Sequence, residues 1–377
     1  MKLKRASFPP SKMHCLGVTL FRGFAEDRRW SMEVFANNLC ASLEAVAGRQ
    51  LCLKEYRPTV SPFRGTSLVE MRLARFVGYP IQAVRQGNQV NHILDHAYGH
   101  LLYALNPAHT VVTVHDVHPL VRWRGRISGV ARGHYPWLNA FAFHALRRAA
   151  HIVTDSENTR RDLLELCQCE PDRVTVVPLG IAPIFRPFSH AEKFVLPRDG
   201  VKRVLITGSQ FYKNRTGAVR IFARLLKLAS FPLELISVGN QTPEWVNVVK
   251  QNNLEAHVRC IQVKKHDEMA ALYNSVDCLL FPSLYEGFGL PLLEAMACGL
   301  PVVTSNAGSI PETVGGAAMT FQPDDEEGFT QALFRVLTDD SWRGTLVERG
   351  LRHVKQFTWE RTARETLEIY RRILELS

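Results

Sequence analysis

The chain has 377 residues, which is enough for two domains of ordinary size. Its content of 46% hydrophobic and 22% charged residues is that of a globular protein and excludes a largely disordered chain. No apolar run reaches the roughly 18 residues that a membrane-crossing helix needs, and the basic N-terminus lacks the apolar segment of a signal peptide. The net charge of +10 favours phosphates, anionic lipid surfaces or nucleic acid as partners, without choosing among them.

These features predict a cytoplasmic protein that either stays free or lies on the inner face of the membrane without crossing it. The eight cysteines are scattered, and no two of them form a CxxC pair. This spacing argues against a zinc or redox site. We therefore expect buried free thiols in a reducing compartment.

Short runs rich in β-branched residues alternate with longer amphipathic stretches along the chain. These runs predict strands at residues 13–21, 51–56, 91–94, 110–114, 152–154, 174–178, 203–207, 233–238, 259–263, 278–282, 301–304 and 319–321. Continuously apolar strands that are separated by helices are typical of parallel sheets covered on both faces. The sequence therefore predicts the α/β class.

The alternating pattern is interrupted once, at residues 181–200, where Pro183, Pro187 and Pro197 break any regular period. We interpret this segment as a linker between two doubly wound Rossmann-like domains, residues 1–185 and 186–356, that face a central cleft. Residues 357–377 form a long helix pattern that could pack on either domain, including back on the first. Ligands of such sheets bind beyond the carboxyl ends of the strands.

The most informative segment is residues 281–303, FPSLYEGFGLPLLEAMACGLPVV. A predicted strand ends in a loop where Gly287 and Gly289 let backbone amides approach a ligand closely. Pro291 suits the first turn of a helix at 292–297, and Gly299 supplies its stop. A helix N-terminus that follows such a loop offers free N–H groups and the positive end of a dipole. This arrangement predicts an anion site.

Two carboxylates, Glu286 and Glu294, bracket this predicted site with a spacing of eight residues. Phosphates would repel them, so they are better suited to accept hydrogen bonds from sugar and ribose hydroxyls. The alternative is that they are ordinary acidic residues at a helix N-terminus, which is a common pattern.

The segment EGFGLPLLEAMACGLPVV, followed by GSIPE at 308–312, closely resembles the E-x7-E signature of the family 4 retaining glycosyltransferases, which have the GT-B fold. The resemblance continues along nearly the whole chain. It covers TVVTVHDVHP at 110–119, the unit at 152–180, GSQFYKN at 208–214 and the segment 266–277. It implies that the first domain is the acceptor side and that the second domain binds a nucleotide sugar.

The resemblance also implies roles for single residues. The expected catalytic residues are Lys213 at the diphosphate, Glu286 at the donor sugar hydroxyls and His115 over the donor sugar. Further donor-binding residues are expected in the same loop and helix, with Glu294 on the ribose: Gly287, Phe288, Gly289, Leu290 and Glu294. Asp116 is expected either to orient His115 or to cap the loop that follows.

Two places depart from the family pattern. The family has an arginine near the phosphate-loop lysine, and here Arg215 is the candidate to replace it, although its direction cannot be read from the sequence. The family also has a glycine pair after the first strand, where this chain has Trp30 and Ser31.

The function implied is retaining transfer of a hexose of the mannose or glucose type. The donor is a GDP- or UDP-sugar, and the acceptor is a glycan or lipid-linked molecule in cell-envelope polysaccharide synthesis. The family resemblance implies front-face attack, in which the leaving phosphate takes the acceptor's proton. We expect no cofactor and no nucleic acid partner. We also expect no metal, since no DxD-like pair lies near the nucleotide loops.

Two alternative functions stay open: a nucleotide-sugar epimerase of the same architecture, and a non-catalytic protein that binds nucleotides or polyanions.

His92, His96 and His100 are spaced four residues apart, so on a single helix they would share one face and could bind a metal. The sequence instead predicts a strand at 91–94 and a helix after Gly99, and the three histidines would then not share a face. Residues 121–132, VRWRGRISGVAR, are either a contact with a membrane surface or a solvated loop and helix face.

Overall fold

The computed structural model describes residues 15–376 except 28, 61–66, 128–129, 134–136, 190–195 and 198. All twelve predicted strands are confirmed within this part of the chain, although residues 13–14 of the first prediction lie outside it. The strands are β1 Leu16–Phe21, β2 Leu51–Tyr56, β3 Val90–Ile93, β4 Thr110–Val114, β5 His151–Thr154, β6 Val174–Val176, β7 Lys202–Thr207, β8 Leu233–Val238, β9 Val258–Ile261, β10 Cys278–Phe281, β11 Val302–Ser305 and β12 Met319–Phe321.

Helices connect these strands and cover both faces of the sheets. They are α1 Trp30–Ala47, α2 Leu68–Leu73, α3 Tyr79–Val84, α4 His118–Trp123, α5 Trp137–Ala145, α6 Glu157–Cys167, α7 Arg215–Leu228, α8 Pro243–Gln251, α9 His266–Tyr273, α10 Leu290–Ala297, α11 Ile310–Val314, α12 Glu326–Thr338, α13 Asp340–His353 and α14 Trp359–Glu375. A π-helical turn, Ala74–Gly78, joins α2 to α3 without a break.

The strands form two parallel six-stranded sheets, which confirms the predicted doubly wound α/β class. The first sheet has the order β2-β1-β3-β4-β5-β6, and the second has the order β12-β11-β10-β7-β8-β9. In each sheet the order of the strands reverses at one pair of neighbours, so that the chain leaves these two strands in opposite directions along the sheet. The pair is β1 and β3 in the first sheet, and β7 and β10 in the second. The carboxyl ends of such a pair leave an open crevice, which is where ligands bind in folds of this kind.

The central strands β4 and β10 are buried throughout because both faces of each sheet are covered there. All five residues of β4 and all four of β10 are buried, and neither strand shows the alternation of a sheet with one wet face. This continuous burial is what made the strands visible in the sequence.

The chain passes from the first sheet to the second near Ile181 and returns near Phe357. The two passing segments are hydrogen-bonded, since the amide of Ile181 donates to the carbonyl of Phe357 at 3.0 Å. At Gly180 a Cβ atom would lie 2.2 Å from the backbone nitrogen of Trp359, so only glycine allows this crossing. Helix α14 then packs on α1. The predicted domain boundaries at residues 185, 186 and 356 stay predictions.

One sequence expectation is wrong. Cys15 and Cys52 form a disulfide, with an S–S distance of 2.10 Å, whereas free thiols were expected throughout. The two cysteines are 37 residues apart, and the pairing of β1 with β2 brings them together. The other six are free. Within the described residues, no helix is long and apolar enough to cross a membrane.

Candidate active site

The glycine loop after β10 leads directly into α10, as the sequence predicted, with the helix starting at Leu290. Gly289 is its N-cap residue and has φ 96°, a left-handed conformation that strains other residues. Gly287 presses against the first half of the chain, because a Cβ atom there would lie 2.2 Å from the carbonyl oxygen of His115. In the first turn of α10, Pro291 has no N–H group, and the amide of Leu292 donates to the carbonyl of Gly289 at 3.0 Å. We therefore expect the amide of Leu290 to be the donor that this turn offers beside the crevice between β7 and β10.

Lys213 and Glu286 form a buried ion pair. The ammonium donates to Oε1 at 2.7 Å and to Oε2 at 3.0 Å of the carboxylate. The side chains are only 12% and 8% exposed, so water screens the attraction weakly. Lys213 ends a 3-10 turn, Phe211–Lys213, in the loop after β7. The lysine and the carboxylate therefore meet across the β7–β10 pair.

Glu294 is held differently from Glu286, because no described residue forms an ion pair with it. Burial raises the pKa of this carboxyl to about 7, and a hydrogen bond from the Tyr273 hydroxyl at 3.3 Å opposes the rise. A carboxyl group in this condition gains when a ligand supplies hydroxyl donors, because these stabilise the charged form.

A cavity of about 420 Å³ opens between Lys213, Glu294 and the first turn of α10. We call it the second-sheet cavity. Its volume lies within the usual range for a small-molecule site. Its lining includes two further lysines and residues from both halves of the chain: Trp30, Ser31, Val34, Phe185, Thr207, Gly208, Lys213, Val238, Val263, Lys264, Lys265, His266, Met269, Tyr273, Leu290, Pro291 and Glu294.

An aromatic contact closes one end of this cavity. The ring of Trp30 stacks on His266, with centroids 5.7 Å apart, and the ring of Phe185 packs on the same imidazole, with centroids 5.4 Å apart. Both ring nitrogens of His266 are buried and have no hydrogen-bond partner among the residues that the structure describes, and burial lowers the pKa of His266. Trp30, where the family has a glycine pair, thus brings the first half of the chain over the cavity of the second.

His115 lies at the carboxyl end of β4 and is almost fully buried. Its Nδ1 is 2.7 Å from Oδ2 of Asp155, and its Nε2 is 3.0 Å from the carbonyl oxygen of Leu94. Burial alone lowers the pKa of His115, but the adjacent Asp155 carboxylate outweighs this effect and raises it to about 9. Both nitrogens then donate, and the imidazole is fixed as a cation at neutral pH.

Asp116 does not orient His115. Its Oδ1 instead accepts from the amide of His118 at 3.1 Å and lies 3.0 Å from its Nδ1, at the first turn of α4. Burial acts to raise the pKa of Asp116, but the hydrogen bond and charge of His118 hold it well below its usual range. Of the two alternatives from the sequence, the structure matches the capping role.

His115, Asp116 and His118 border another cavity, of about 630 Å³, at the carboxyl ends of β1, β3 and β4. We call it the first-sheet cavity. Its lining is Arg29, Trp30, Ser31, Met32, Asp95, His96, Ala97, His115, Asp116, His118, Pro119, Ala142, Phe143, Gln210 and Tyr212. Trp30 and Ser31 line both cavities, so the two spaces are neighbours.

The two halves of the chain are closed on each other beside Gly287. Its carbonyl oxygen accepts hydrogen bonds from the hydroxyls of Ser156 at 2.5 Å and Thr159 at 3.1 Å, at the N-terminus of α6. The carboxylate of Glu312 accepts the amides of Glu157 and Asn158, each at 2.8 Å. This carboxylate therefore satisfies free N–H groups of a helix in the other half.

Arg215 lies outside both cavities. Its Nη1 donates to the carbonyl of Asn240 at 2.5 Å, its Nη2 donates to Ser237 at 2.6 Å, and its guanidinium lies 4.0 Å from the ring centroid of Trp245. The structure thus brings Lys213, Glu286, Leu290 and Glu294 together, whereas Arg215 turns toward β8 and α8.

Sequence reasoning missed Asp155, Tyr212 and the lysines of the second-sheet cavity. Asp155 follows β5, and β5 is the neighbour of β4 in the sheet, with Val114 opposite Thr154. The order of strands would have been needed to find it. The imidazole of His92 is hydrogen-bonded to Tyr370 and Thr113. His96 starts a 3-10 helix, His96–Tyr103, earlier than expected, and His100 lies within it. No metal-binding cluster occurs among the residues that the structure describes.

Comparison with solved structures defines the class of fold. The chain is similar to sucrose-phosphate synthase from Thermosynechococcus elongatus, with a TM-score of 0.75 and 19% identity over 96% of this chain and 100% of that one. It is also similar to Anabaena Alr3699/HepE, with a TM-score of 0.71, 15% identity and coverage of 94% and 99%. The fold is GT-B, with two Rossmann-like domains.

Family models identify the chain within this class. Residues 19–183 match the model described as Glycosyltransferase Family 4, and residues 201–339 match the one described as Glycosyl transferases group 1. Together they span most of the chain, which belongs to the family 4 glycosyltransferases.

Two curated relatives are similar over part of their length. The O-antigen chain mannosyltransferase B of Escherichia coli is 32% identical over 237 residues, 60% of this chain. The D-inositol 3-phosphate glycosyltransferase of Stackebrandtia nassauensis is 30% identical over 235 residues, 58% of this chain. The matches span 62% and 53% of these relatives' own lengths.

Proposed function

We propose that the protein is a retaining hexosyltransferase. It takes a mannose- or glucose-type sugar from a GDP- or UDP-linked donor and transfers it to a glycan or lipid-linked acceptor in polysaccharide synthesis. The observation that carries this proposal is the second-sheet cavity, where Lys213, the start of α10 and the buried Glu294 line a space of the right size. Glu286 stands beside this space as the ion-pair partner of Lys213.

The charges of the second-sheet cavity match the parts of a nucleotide sugar. Lys213 and the first turn of α10, with the amides of Phe288, Gly289 and Leu290, would face the diphosphate. Glu294 lies one turn into the helix, where the two ribose hydroxyls could donate to it and favour its charged form. Glu286 would meet the hydroxyls of the transferred sugar, beside Gly287.

The Lys213–Glu286 pair suits the chemistry of transfer. As the bond between the anomeric carbon and the diphosphate breaks, positive charge develops on the sugar ring and negative charge on the leaving group. Lys213 stabilises the leaving diphosphate, and the carboxylate of Glu286 stands on the sugar side. Donor binding would draw the ammonium from the carboxylate toward the phosphates.

The first-sheet cavity would hold the acceptor. Asp116 and His118 border it, and His115 lines it at the junction with the glycine loop, where its carbonyl oxygen lies against Gly287. In the retaining route the acceptor oxygen bonds to the anomeric carbon on the face that the diphosphate leaves. The departing phosphate takes the hydroxyl proton. Because both nitrogens of His115 are bound to protein atoms, we assign it a positioning role at this junction.

The names of relatives support the sugar class. Besides the Escherichia coli enzyme, an MMP alpha-(1->4)-mannosyltransferase of Mycolicibacterium hassiacum is 28% identical over 60% of this chain. The HepE structure is described as a complex with UDP and glucose. These names favour a hexosyl donor. Whether its base is guanine or uracil has to be determined by experiment.

A nucleotide-sugar epimerase needs no room for an acceptor, so the large first-sheet cavity favours transfer. A protein that only binds polyanions needs no matched pair of buried carboxylates.

The test is a panel of GDP- and UDP-sugars, each added to the protein during thermal unfolding. A true donor binds only the folded state and raises the melting temperature by mass action. The donor found in this way is then incubated with candidate acceptors, and proton NMR reads the anomeric configuration of the product. Stabilisation by none of the panel, or a product of inverted configuration, would contradict the proposal.

A further inference from the structure

A continuous helix on the first half of the chain carries an exposed apolar stripe. The stripe consists of Val69, Leu73, Val77, Ile81 and Val84, which are between 42% and 65% exposed. They are spaced four, four, four and three residues apart along α2, the π turn and α3. This spacing places them along one side of the helix.

The helix has an ordinary buried face as well, so the stripe is not misplaced core. Ala74, Gly78, Tyr79 and Ala83 are buried, and the hydroxyl of Tyr79 donates to the carbonyl of Arg22 at 2.6 Å. In a regular α-helix, residues four apart drift by about 40° around the axis. The wider π turn at Ala74–Gly78 opposes this drift, which keeps the stripe straight.

The stretch of sequence that contains the stripe is strongly cationic. Residues 61–150 contain ten arginines, no lysine and only three carboxylates, so they hold +7 of the whole net charge of +10. Of the three carboxylates, Asp95 is buried and Glu70 caps its own helix in a capping box. Arg72 and Arg85 are exposed on the helix that carries the stripe.

The stripe lies next to the first-sheet cavity. Arg75, on the π turn, donates to the carbonyl of Ala97 at 2.8 Å, and Ala97 lines that cavity. The same 3-10 helix, His96–Tyr103, ends in Tyr103, which stacks on Phe141 of α5 with centroids 4.6 Å apart. Both rings are about two-fifths exposed. Elements that wall the cavity thus also present exposed aromatic side chains.

We propose that this face, the apolar stripe with its neighbouring arginines, docks on an anionic lipid bilayer. Apolar side chains on one side of a helix, flanked by arginines, match the acyl boundary and the headgroups of such a surface. A protein partner of neutral charge would leave the exposed Arg72 and Arg85 without a counterpart.

The docking face also selects the acceptor class. Resting on the proposed function, we infer that the acceptor is lipid-linked. Its anchor stays in the bilayer, and its sugar enters the first-sheet cavity beside the stripe.

The experiment measures binding of the full-length chain to vesicles by sedimentation. One set of vesicles is pure phosphatidylcholine, and the other contains about 30 mol% phosphatidylglycerol, which supplies a negative surface potential. The protein should sediment with the anionic set, and added salt should release most of it because exposed charges are screened. Equal binding to both sets, or no binding to either, overturns the proposal.

Two variants separate the apolar and the charged contributions. Val77→Gln combined with Ile81→Gln should weaken vesicle binding about tenfold or more, since two apolar side chains no longer leave water. Arg72→Gln combined with Arg85→Gln should weaken it about thirty-fold, at roughly fivefold for each arginine near the surface. The matched control is Leu228→Gln, which replaces an apolar side chain 47% exposed at the end of α7.

The readouts keep this proposal apart from the proposed function. All four positions are exposed, so the melting temperature and the stabilisation by a nucleotide sugar should be unchanged in every variant. Loss of vesicle binding in the control as well would overturn the assignment to this face. A concentration-dependent dimer that the glutamine variants abolish, without vesicle binding by the parent chain, would identify a second copy as the occupant instead.

Discussion

The second-sheet cavity and the first-sheet cavity adjoin at Trp30, and their charged side chains are held in different ways. Around the first-sheet cavity, His115 is paired with Asp155, His118 with Asp116, and Arg29 with Asp95 at 2.9 Å. Around the second-sheet cavity, Lys213 is paired with Glu286. Within the described part of the chain, however, Glu294 accepts a hydrogen bond only from a tyrosine hydroxyl, and His266 has no hydrogen-bond partner for either nitrogen.

The difference indicates what each cavity is prepared to bind. Groups that already satisfy one another suit a ligand rich in neutral hydroxyls, which exchanges hydrogen bonds with them and leaves the charges in place. Groups without full partners gain from a ligand that brings its own charge and donors. A nucleoside diphosphate sugar is such a ligand.

The largest effect is expected at the charged group nearest the proposed leaving group. Lys213→Ala should slow sugar transfer by about 10²–10³-fold, because one preorganised charge is lost from the transition state. The measurement is the initial rate at saturating donor. Lys227→Ala, near the end of α7, is the control and should transfer at the parent rate. A variant at Lys213 that kept more than half of the parent rate would remove the lysine from the mechanism.

At the first-sheet cavity, the largest expected effect is on the free energy of unfolding. Because the folded-state pKa of His115 is raised from 6.5 to about 9, its pairing with Asp155 stabilises the fold fully below pH 6.5. The contribution, about 3 kcal/mol, is lost as pH rises from 6.5 through 9. Urea unfolding across this range should show that decline.

Asp155→Asn is the matched test of this pair. It should lower the free energy of unfolding at pH 6.5 by about 3 kcal/mol, since it leaves a buried imidazole without its counter-ion. It should also flatten the decline between pH 6.5 and 9. A pH dependence identical to that of the parent chain would mean that the pair does not control stability.

Glu294 should behave in the opposite way to His115. Its folded-state pKa is raised from 4.5 to about 7, so the empty protein loses stability as pH rises from 4.5 to 7. Glu294→Gln should therefore stabilise the empty protein at pH 8 by about 1–3 kcal/mol and weaken donor binding about tenfold or more. Calorimetry of unfolding and of donor binding measures both changes.

The control for this substitution is Glu348→Gln, at an exposed position on α13. It should change neither quantity. In the parent chain, donor affinity should rise between pH 6 and 8, because the ribose hydroxyls would bind the charged carboxylate. A gain in both stability and donor affinity in Glu294→Gln would refute the ribose role.

The sequence predicted what depends on neighbours along the chain. Continuously apolar runs predicted the strands, and the glycine loop predicted the start of α10, because each signal lies within about twenty residues. What it could not predict depends on which strands are neighbours in space. Asp155 reaches His115 only because β5 lies beside β4, and Cys15 reaches Cys52 only because β2 lies beside β1.

Arg215 shows a second limit of the sequence. Its place just after the phosphate-loop lysine suggested a shared role, but Asn214 stands between them in a left-handed conformation, with φ 51°. The turn at Asn214 starts α7, and Arg215 leaves toward β8 and α8. A single change of backbone conformation, invisible in the residue pattern, thus separates two adjacent cations.

The smallest predicted effect concerns the contact that joins the two cavities. Trp30→Ala removes the ring stacked on His266, and a stacked pair of this kind is worth about 1 kcal/mol. We expect donor affinity to fall about fivefold, because the tryptophan also forms part of the wall of the second-sheet cavity. Stability should change little, since Trp30 is 56% exposed.

A double-mutant cycle with His266→Ala tests whether the stack itself is responsible. If the two rings act together, the double variant should lose no more affinity than the larger of the two single losses. Strictly additive losses would mean that each ring contacts the donor separately. In that case, the stacking of Trp30 on His266 would not be what couples the contact between the two halves of the chain to donor binding.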